Sequence, residues 1–326
     1  MSLHGPFETE VTRASREFAL MPRHVAPLVA LALPLAVAAG CAEAPPEQQF
    51  AADAVAALGG RERILAVRTI VMEGNGNAAN LGQDMTWEAE GQQFELTNYR
   101  RVVDLSSGRE RIEQTRTPNF LYFQGPRPQR QVLGLDGEVA YTIAPGGRVT
   151  RASETVRGDR AADFYHHPLT LVRALLDAPA AVSDVRDEGP GRTATVTIAG
   201  RAFTVQLDGS GRPISISSPR YHPNLGDVTV ETSFSNYQQV EGLQLPAQSR
   251  TQVDGRTILE LQLDRHTING DGTDLGAPAE AVSAQPPAPD PPKVEVVEVA
   301  AGVWLLAGQS HHSAVVEFDD HLMLIE

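Results

Sequence analysis

The sequence predicts an α+β protein built on one large antiparallel sheet with one or two covering helices. Three observations lead there. Segment after segment alternates apolar with polar residues and is parted from the next by a glycine-bearing turn. The alternation is interrupted in two places by apolar residues at helical spacing. Finally, 41% of the 326 residues are hydrophobic, enough to fill the core of one large or two modest domains.

The chain opens with a targeting segment. Residues 25–39 (VAPLVALALPLAVAA) carry no charge and follow Arg23 and His24. A basic start, a short apolar core and a small-residue exit make a secretory signal over residues 21–41. The apolar core falls short of the roughly 20 residues a spanning helix needs, and it contains Pro27 and Pro34. Residues 1–20 hold Glu8, Glu10 and Glu17, which do not suit a signal. They are expected to be a mis-assigned gene start, with Met21 the true one, or else a short disordered extension.

The exit, Val37-Ala38-Ala39-Gly40-Cys41, contains the only cysteine. One cysteine excludes an intramolecular disulfide framework and a cysteine-based zinc site. The segment resembles a bacterial lipobox, although Ala38 stands where leucine is most usual. The resemblance implies acylation of Cys41 and a firm tether to the membrane. Ordinary cleavage at Ala36-Val37-Ala38, with Cys41 incidental, is the alternative. Ala42 in place of aspartate favours sorting onward, so the expectation is an exported, periplasmic protein anchored to the outer membrane.

A spacer (42–49) precedes FAADAVAALGG, in which Phe50, Val55 and Leu58 keep helical spacing and Gly59-Gly60 forms a stop. Strands are then expected in VRTIVMEGNGN, with Gly74-Asn75-Gly76 as its turn, and in QDMTWEAEG, QFELTNYRRVVDL and GRERIEQTR. Shorter ones are expected around Leu121-Tyr122-Phe123 and Val139-Ala140-Tyr141. Residues 158–178 read as helical, with Leu169, Val172, Leu175 and Leu176 on one face and Pro168 in a first turn. Strands resume from TATVTIAG to ILELQLDRHTI, with hairpin signals at Asp208-Gly209 and Asp254-Gly255. Residues 50–275 thus form one sheet domain with an opening and an inserted helix.

Two of its segments, ALGGRERILAVRTIVMEG and YQQVEGLQLPAQSRTQVDGRTILELQL, resemble the periplasmic lipoprotein-carrier family. That resemblance implies a strongly curved half-barrel with helices on its concave side, and a Gly-Leu-x-Leu-Pro turn in the second segment. It also implies an acyl chain or small molecule as a possible ligand.

Residues 276–292 contain six prolines and read as an extended linker. Residues 293–326 are dense in β-formers and read as two strands joined at Gln309-Ser310-His311-His312. A lone hairpin is marginal in water, so an incomplete domain is expected. Gly302-Val303-Trp304-Leu305-Leu306, the turn through His311-His312-Ser313 and the closing His321-Leu322-Met323-Leu324-Ile325-Glu326 resemble the opening of the metallo-β-lactamase αββα fold. The resemblance implies a hydrolase in which zinc lowers the pKa of a bound water. The family's His-x-His-x-Asp-His motif is missing, and so is any His-Glu-x-x-His. Zinc is therefore expected only in a longer parent. For this chain no catalytic and no metal-binding residue is named, and Cys41 is its one candidate site.

The remaining histidines are assigned structural roles: His311 and His312 to an exposed turn, His166 and His167 to capping or packing of the inserted helix. His222, His266 and His321 are given no chemistry. No phosphate loop and no Gly-x-Ser-x-Gly elbow occurs. A net charge of -14 excludes a nucleic-acid partner. The leading reading is the N-terminal part of an exported, lipid-anchored zinc hydrolase, its enzyme status open. The alternative is a non-enzymatic envelope lipoprotein with a lipid- or lipoprotein-binding half-barrel.

Overall fold

The computed structural model describes residues 44–325 apart from 82–85, 87–88, 121–126, 178–180, 223–224, 289–292 and 309–311. Helices α1 (Pro46–Ala57) and α2 (Arg61–Ala66) come first. Strands β1 (Thr69–Asn80), β2 (Gln92–Asp104), β3 (Arg109–Pro118), β4 (Gln129–Asp136), β5 (Val139–Ile143) and β6 (Val149–Arg151) follow. A helix pair, α3 (Glu154–Tyr165) and α4 (Pro168–Asp177), leads to seven more strands. These are β7 (Ala181–Glu188), β8 (Gly191–Ile198), β9 (Arg201–Leu207), β10 (Pro213–His222), β11 (Gly226–Val240), β12 (Leu243–Val253) and β13 (Arg256–Ile268).

All thirteen strands join in one antiparallel sheet ordered β6-β5-β4-β3-β2-β1-β13-β12-β11-β10-β9-β8-β7. The chain enters at mid-sheet, meanders out to one edge, crosses through α3 and α4 to the opposite edge, and meanders back until β13 pairs with β1. Laid flat, thirteen strands would span about 58 Å. The two helices supply only about 33 Å of axial length between the edges. The sheet curls around the helices that join its ends. Consistent with this, one core cluster unites Val196 and Phe203 near one edge, Leu96 and Tyr99 past the middle, and Phe164, Leu169 and Val172 of the helix pair.

Local chemistry fixes the helices in place. The Ser153 side chain accepts a hydrogen bond from the Val156 N–H and caps α3. Six of the ten residues of α4 are buried, as befits a helix enclosed by sheet rather than lying on a surface. Arg160 of α3 donates to the Gly134 carbonyl (3.0 Å) and the Thr142 hydroxyl (2.8 Å), tying α3 to β4 and β5. Arg173 of α4 donates to the carbonyls of Ile64 (3.0 Å) and Leu65 (2.8 Å), satisfying the end of α2.

Several expectations need correction. Gly74-Asn75-Gly76 is no turn but lies inside β1. A Cβ at Gly74 or Gly76 would collide with the carbonyl oxygens of Gln262 and Glu260 on β13, so glycine here permits close strand approach at an irregularity in register. Within 83–91, expected as strand, Thr86, Ala89 and Glu90 are bend or loop. Residues 121–123 lie outside the described residues. The turn expected over Gly-Leu-x-Leu-Pro is the tighter Glu241-Gly242 pair, both at positive φ, with Leu243 already paired to Val240. The Asp254-Gly255 hairpin is as expected, both residues again at positive φ.

The proline-rich run also differs from a plain extended linker. It contains a short helix, α5 (Ala279–Ser283), whose Ala281 is buried against Val132 and Tyr141. Arg151 donates to the Ala284 carbonyl at 3.1 Å and holds the segment there. Among its described residues the tail forms four strands rather than two: β14 (Glu295–Ala300), β15 (Val303–Ala307), β16 (His312–Glu317) and β17 (Leu322–Ile325), paired in that order. Gly302, at φ 74°, makes the first turn, and Asp319-Asp320 lies in the last. Every residue of β14 and β17 is exposed.

Candidate ligand cleft

Between the inner face of the large sheet and the junction of α3 with α4 lies a cleft of ≈ 170 Å³. Its floor is mainly apolar, with three hydroxyls among the aliphatics, and is set by register. Phe234 of β11 stands opposite Ser249 of β12, which stands opposite Leu261 of β13. Thr232, Thr251 and Leu259 make the next row. Met72, Val230, Ile258 and Leu263 complete the floor, and Ile112 and Pro246 close its sides.

A polar wall faces this floor, and a β-bulge in β2 supplies part of it. Between Leu96 and Tyr99, β2 carries one more residue than either neighbour, with Asn98 in the left-handed region at φ 52°. Since side chains alternate along a strand, one extra residue exchanges the faces. Leu96 faces the core before the bulge, and Tyr99, Arg101 and Val103 face inward after it. In β13 the register jumps between Leu263 and Arg265, which moves the inward set from Leu259, Leu261 and Leu263 to His266 and Ile268.

Arg101 thereby meets Glu110 of β3 at 2.6 Å, with side chains only 12% and 6% exposed. Its guanidinium also donates to the Asp163 carbonyl at 3.1 Å. Arg220 of β10 pairs with the Asp163 carboxylate at 2.7 Å. Burial pushes the Glu110 carboxyl up, and the Arg101 charge opposes that rise. Burial likewise pushes the Tyr99 phenol up to about 12. Among the described residues the cleft's two cations are thus already matched by two carboxylates.

His166 and His167 sit at the helix junction, where the His166 backbone (φ -78°, ψ 44°) leaves the helical region. Adjacent residues on one helix would point apart, whereas here both rings line the same cleft. His166 is held on both nitrogens, Nε2 at 2.8 Å from Ser218 Oγ and Nδ1 at 3.1 Å from Thr232 Oγ1. Burial lowers its pKa to about 4, keeping it neutral. The His167 Nδ1 accepts the Leu169 N–H at 3.2 Å, capping the start of α4. Its Nε2 is buried and has no hydrogen-bond partner. Burial also holds His167 well below the ordinary histidine range.

Ser218 and His166 are within bonding reach, but the far nitrogen of His166 meets a threonine hydroxyl rather than the carboxylate that orients a catalytic histidine. Among the described residues no group of three or more His, Cys, Asp or Glu is placed to hold a metal ion. The described residues therefore offer no fit to the zinc that the tail resemblance implies, which the sequence reading places in a longer parent.

The remaining sequence candidates lie elsewhere. Cys41 and His311 are outside the described residues. His312 is exposed at the start of β16. His321 pairs with Asp320 at 2.7 Å and stacks on Phe318 at 4.5 Å. His222 ends β10. The cleft residues Tyr99, Arg101, Glu110, Asp163 and Arg220 were not singled out from sequence. The available signal was an acid, Glu110, on the same strand face as Ile112.

No family model matches the chain, and no curated protein matches it. Among solved structures, a LolA-superfamily protein from Nitrosomonas europaea is similar at 10% identity and a TM-score of 0.36, over 69% of this chain and 94% of its own. A DUF1329-family protein from Desulfovibrio piger is similar at 10% identity and a TM-score of 0.40, over 69% of this chain and 93% of its own. The metallo-β-lactamase resemblance of residues 293–326 finds no support in these comparisons.

Proposed function

We propose that this chain is a non-enzymatic envelope lipoprotein whose curled sheet binds an apolar or amphipathic ligand, an acyl chain or a molecule of similar character. The observation that carries the reading is the cleft, floored mainly by leucine, valine and phenylalanine and closed by the α3–α4 junction. Its ≈ 170 Å³ is close to the roughly 150 Å³ that admits a benzene-sized guest, so it takes one ring or a short stretch of chain. The signal-like segment and Cys41 support export and membrane tethering. Among the described residues no helix is long and apolar enough to cross a membrane.

Titrating the purified chain with a fluorescent acyl probe tests this reading. Binding is expected, and Leu261→Trp, which fills the floor, should abolish it while thermal unfolding stays cooperative. Failure of the wild-type chain to bind any apolar probe would overturn it.

A further inference from the structure

The unmet hydrogen-bonding need in the cleft is that of His167. Its Nδ1 accepts from the Leu169 N–H, so the neutral ring must carry its hydrogen on Nε2. That N–H is buried and has no partner, and the His167 side chain belongs to the cleft lining. A buried donor left unsatisfied is costly, and native structures rarely tolerate one without a partner at some stage. The ring cannot turn over to relieve it, because the flip would remove the acceptor from the Leu169 N–H. Edge-on packing against Phe234, with centroids 6.5 Å apart, holds it further.

Charge decides what kind of acceptor belongs there. Arg101 and Arg220 are the cations of the cleft, and Glu110 and Asp163 already neutralise them at 2.6 and 2.7 Å. An anionic head would bring a buried charge with no counterion, whereas a neutral carbonyl needs only the one donor. We infer that the ligand carries a neutral carbonyl, an ester or amide, whose oxygen accepts the His167 Nε2–H while its hydrocarbon lies over Leu259 and Leu261. This deepens the proposed function and rests on the cleft being a binding site.

The test compares methyl hexanoate, hexanoate ion and hexane as ligands of the full chain, followed by NMR of the histidine ring nitrogens. The ester is expected to bind about tenfold more tightly than hexane, the factor one satisfied hydrogen bond provides, and to move the His167 Nε2 resonance. His167→Asn retains an acceptor near the Nδ1 position and loses the Nε2 donor, so it should bind ester and hexane alike. His167→Gln offers a donor near the Nε2 position and should keep the preference. Equal binding of ester and hexane by the wild-type chain overturns the inference and leaves the apolar cleft standing. Tighter binding of hexanoate than of ester, or an undiminished ester preference in a folded His167→Asn, also overturns it. If none of the three binds, the proposed function falls as well.

Discussion

The large sheet and the small one are written in the same alphabet and end in opposite states. The β13 segment ILELQLDRHTI opens on aliphatics alternating with charged or polar residues, and the β14 segment EVVEVA is likewise built of aliphatics and glutamate. In β13, Leu261 and Leu263 are buried beneath the helix pair. In the small sheet Val296 is 64% exposed and Leu322 67%. Alternation specifies a strand and its two faces, but burial requires a second layer. The large sheet makes its own by curling around α3 and α4. Stability should therefore reside almost wholly in the large sheet.

The largest expected effect breaks the second layer. Leu169 of α4 is fully buried in the main core. Leu169→Ala should destabilise the protein by about 2–5 kcal/mol, through lost transfer energy and the cavity left behind. Leu322→Ala, the same change on the exposed sheet, should shift stability by no more than about 0.5 kcal/mol. Urea unfolding of the two variants reads the contrast directly. Equal losses would mean that the small sheet is covered in solution.

A smaller effect uses pH to address the same layer. The His166 imidazole, held near 4 in the fold, stays neutral while the unfolded chain takes up a proton near the ordinary 6.5. Between these values the unfolded state binds more protons, so stability present above pH 6.5 is lost as pH falls. The loss from His166 alone reaches about 3 kcal/mol at pH 4. Burial shifts His167 in the same direction, while burial of Glu110 and Asp159 raises their carboxyls and opposes it. His166→Asn isolates the contribution: the gap between its stability and that of wild type should narrow steadily from pH 7 to pH 4. A gap independent of pH would show that His166 titrates in the fold as it does in the unfolded chain.

The contrast between the two sheets also explains what could be read in advance. Sheet class, the helical character of 158–178 and the Asp254-Gly255 turn follow from local period and turn chemistry, which any short window contains. The cleft does not, because part of its polar wall depends on a single-residue insertion. Leu96 and Arg101 are of opposite parity, so alternation alone places them on opposite faces, and only the bulge at Asn98 unites them. Asn98 is a residue type suited to positive φ, but nothing local distinguishes it from any other strand asparagine. Likewise Glu110 reads as an outward charge until β2 delivers Arg101 beside it. Gly74 and Gly76 were misread for a related reason, since their demand comes from β13, far along the chain.

The smallest expected effect completes the comparison. If the small sheet contributes no burial to the large one, deleting residues 289–326 should leave the midpoint of thermal unfolding unchanged within error. The cut falls beyond α5, whose Ala281 packs on Val132 and Tyr141, and beyond Ala284, which accepts from Arg151. Starting the deletion at residue 276 instead removes those contacts, and also the Ala277 N–H that donates to Asp136 at 3.0 Å. That longer deletion should lower stability by about 1–3 kcal/mol, the range for a few lost packing contacts and the hydrogen bonds lost by Arg151 and Asp136. The two deletions therefore locate the edge of the cooperative unit within the proline-rich run. Composition marks that whole run as linker, whereas the packing of Ala281 assigns its first half to the sheet. Equal destabilisation by both deletions would place the edge beyond residue 289 and tie the small sheet to the large one.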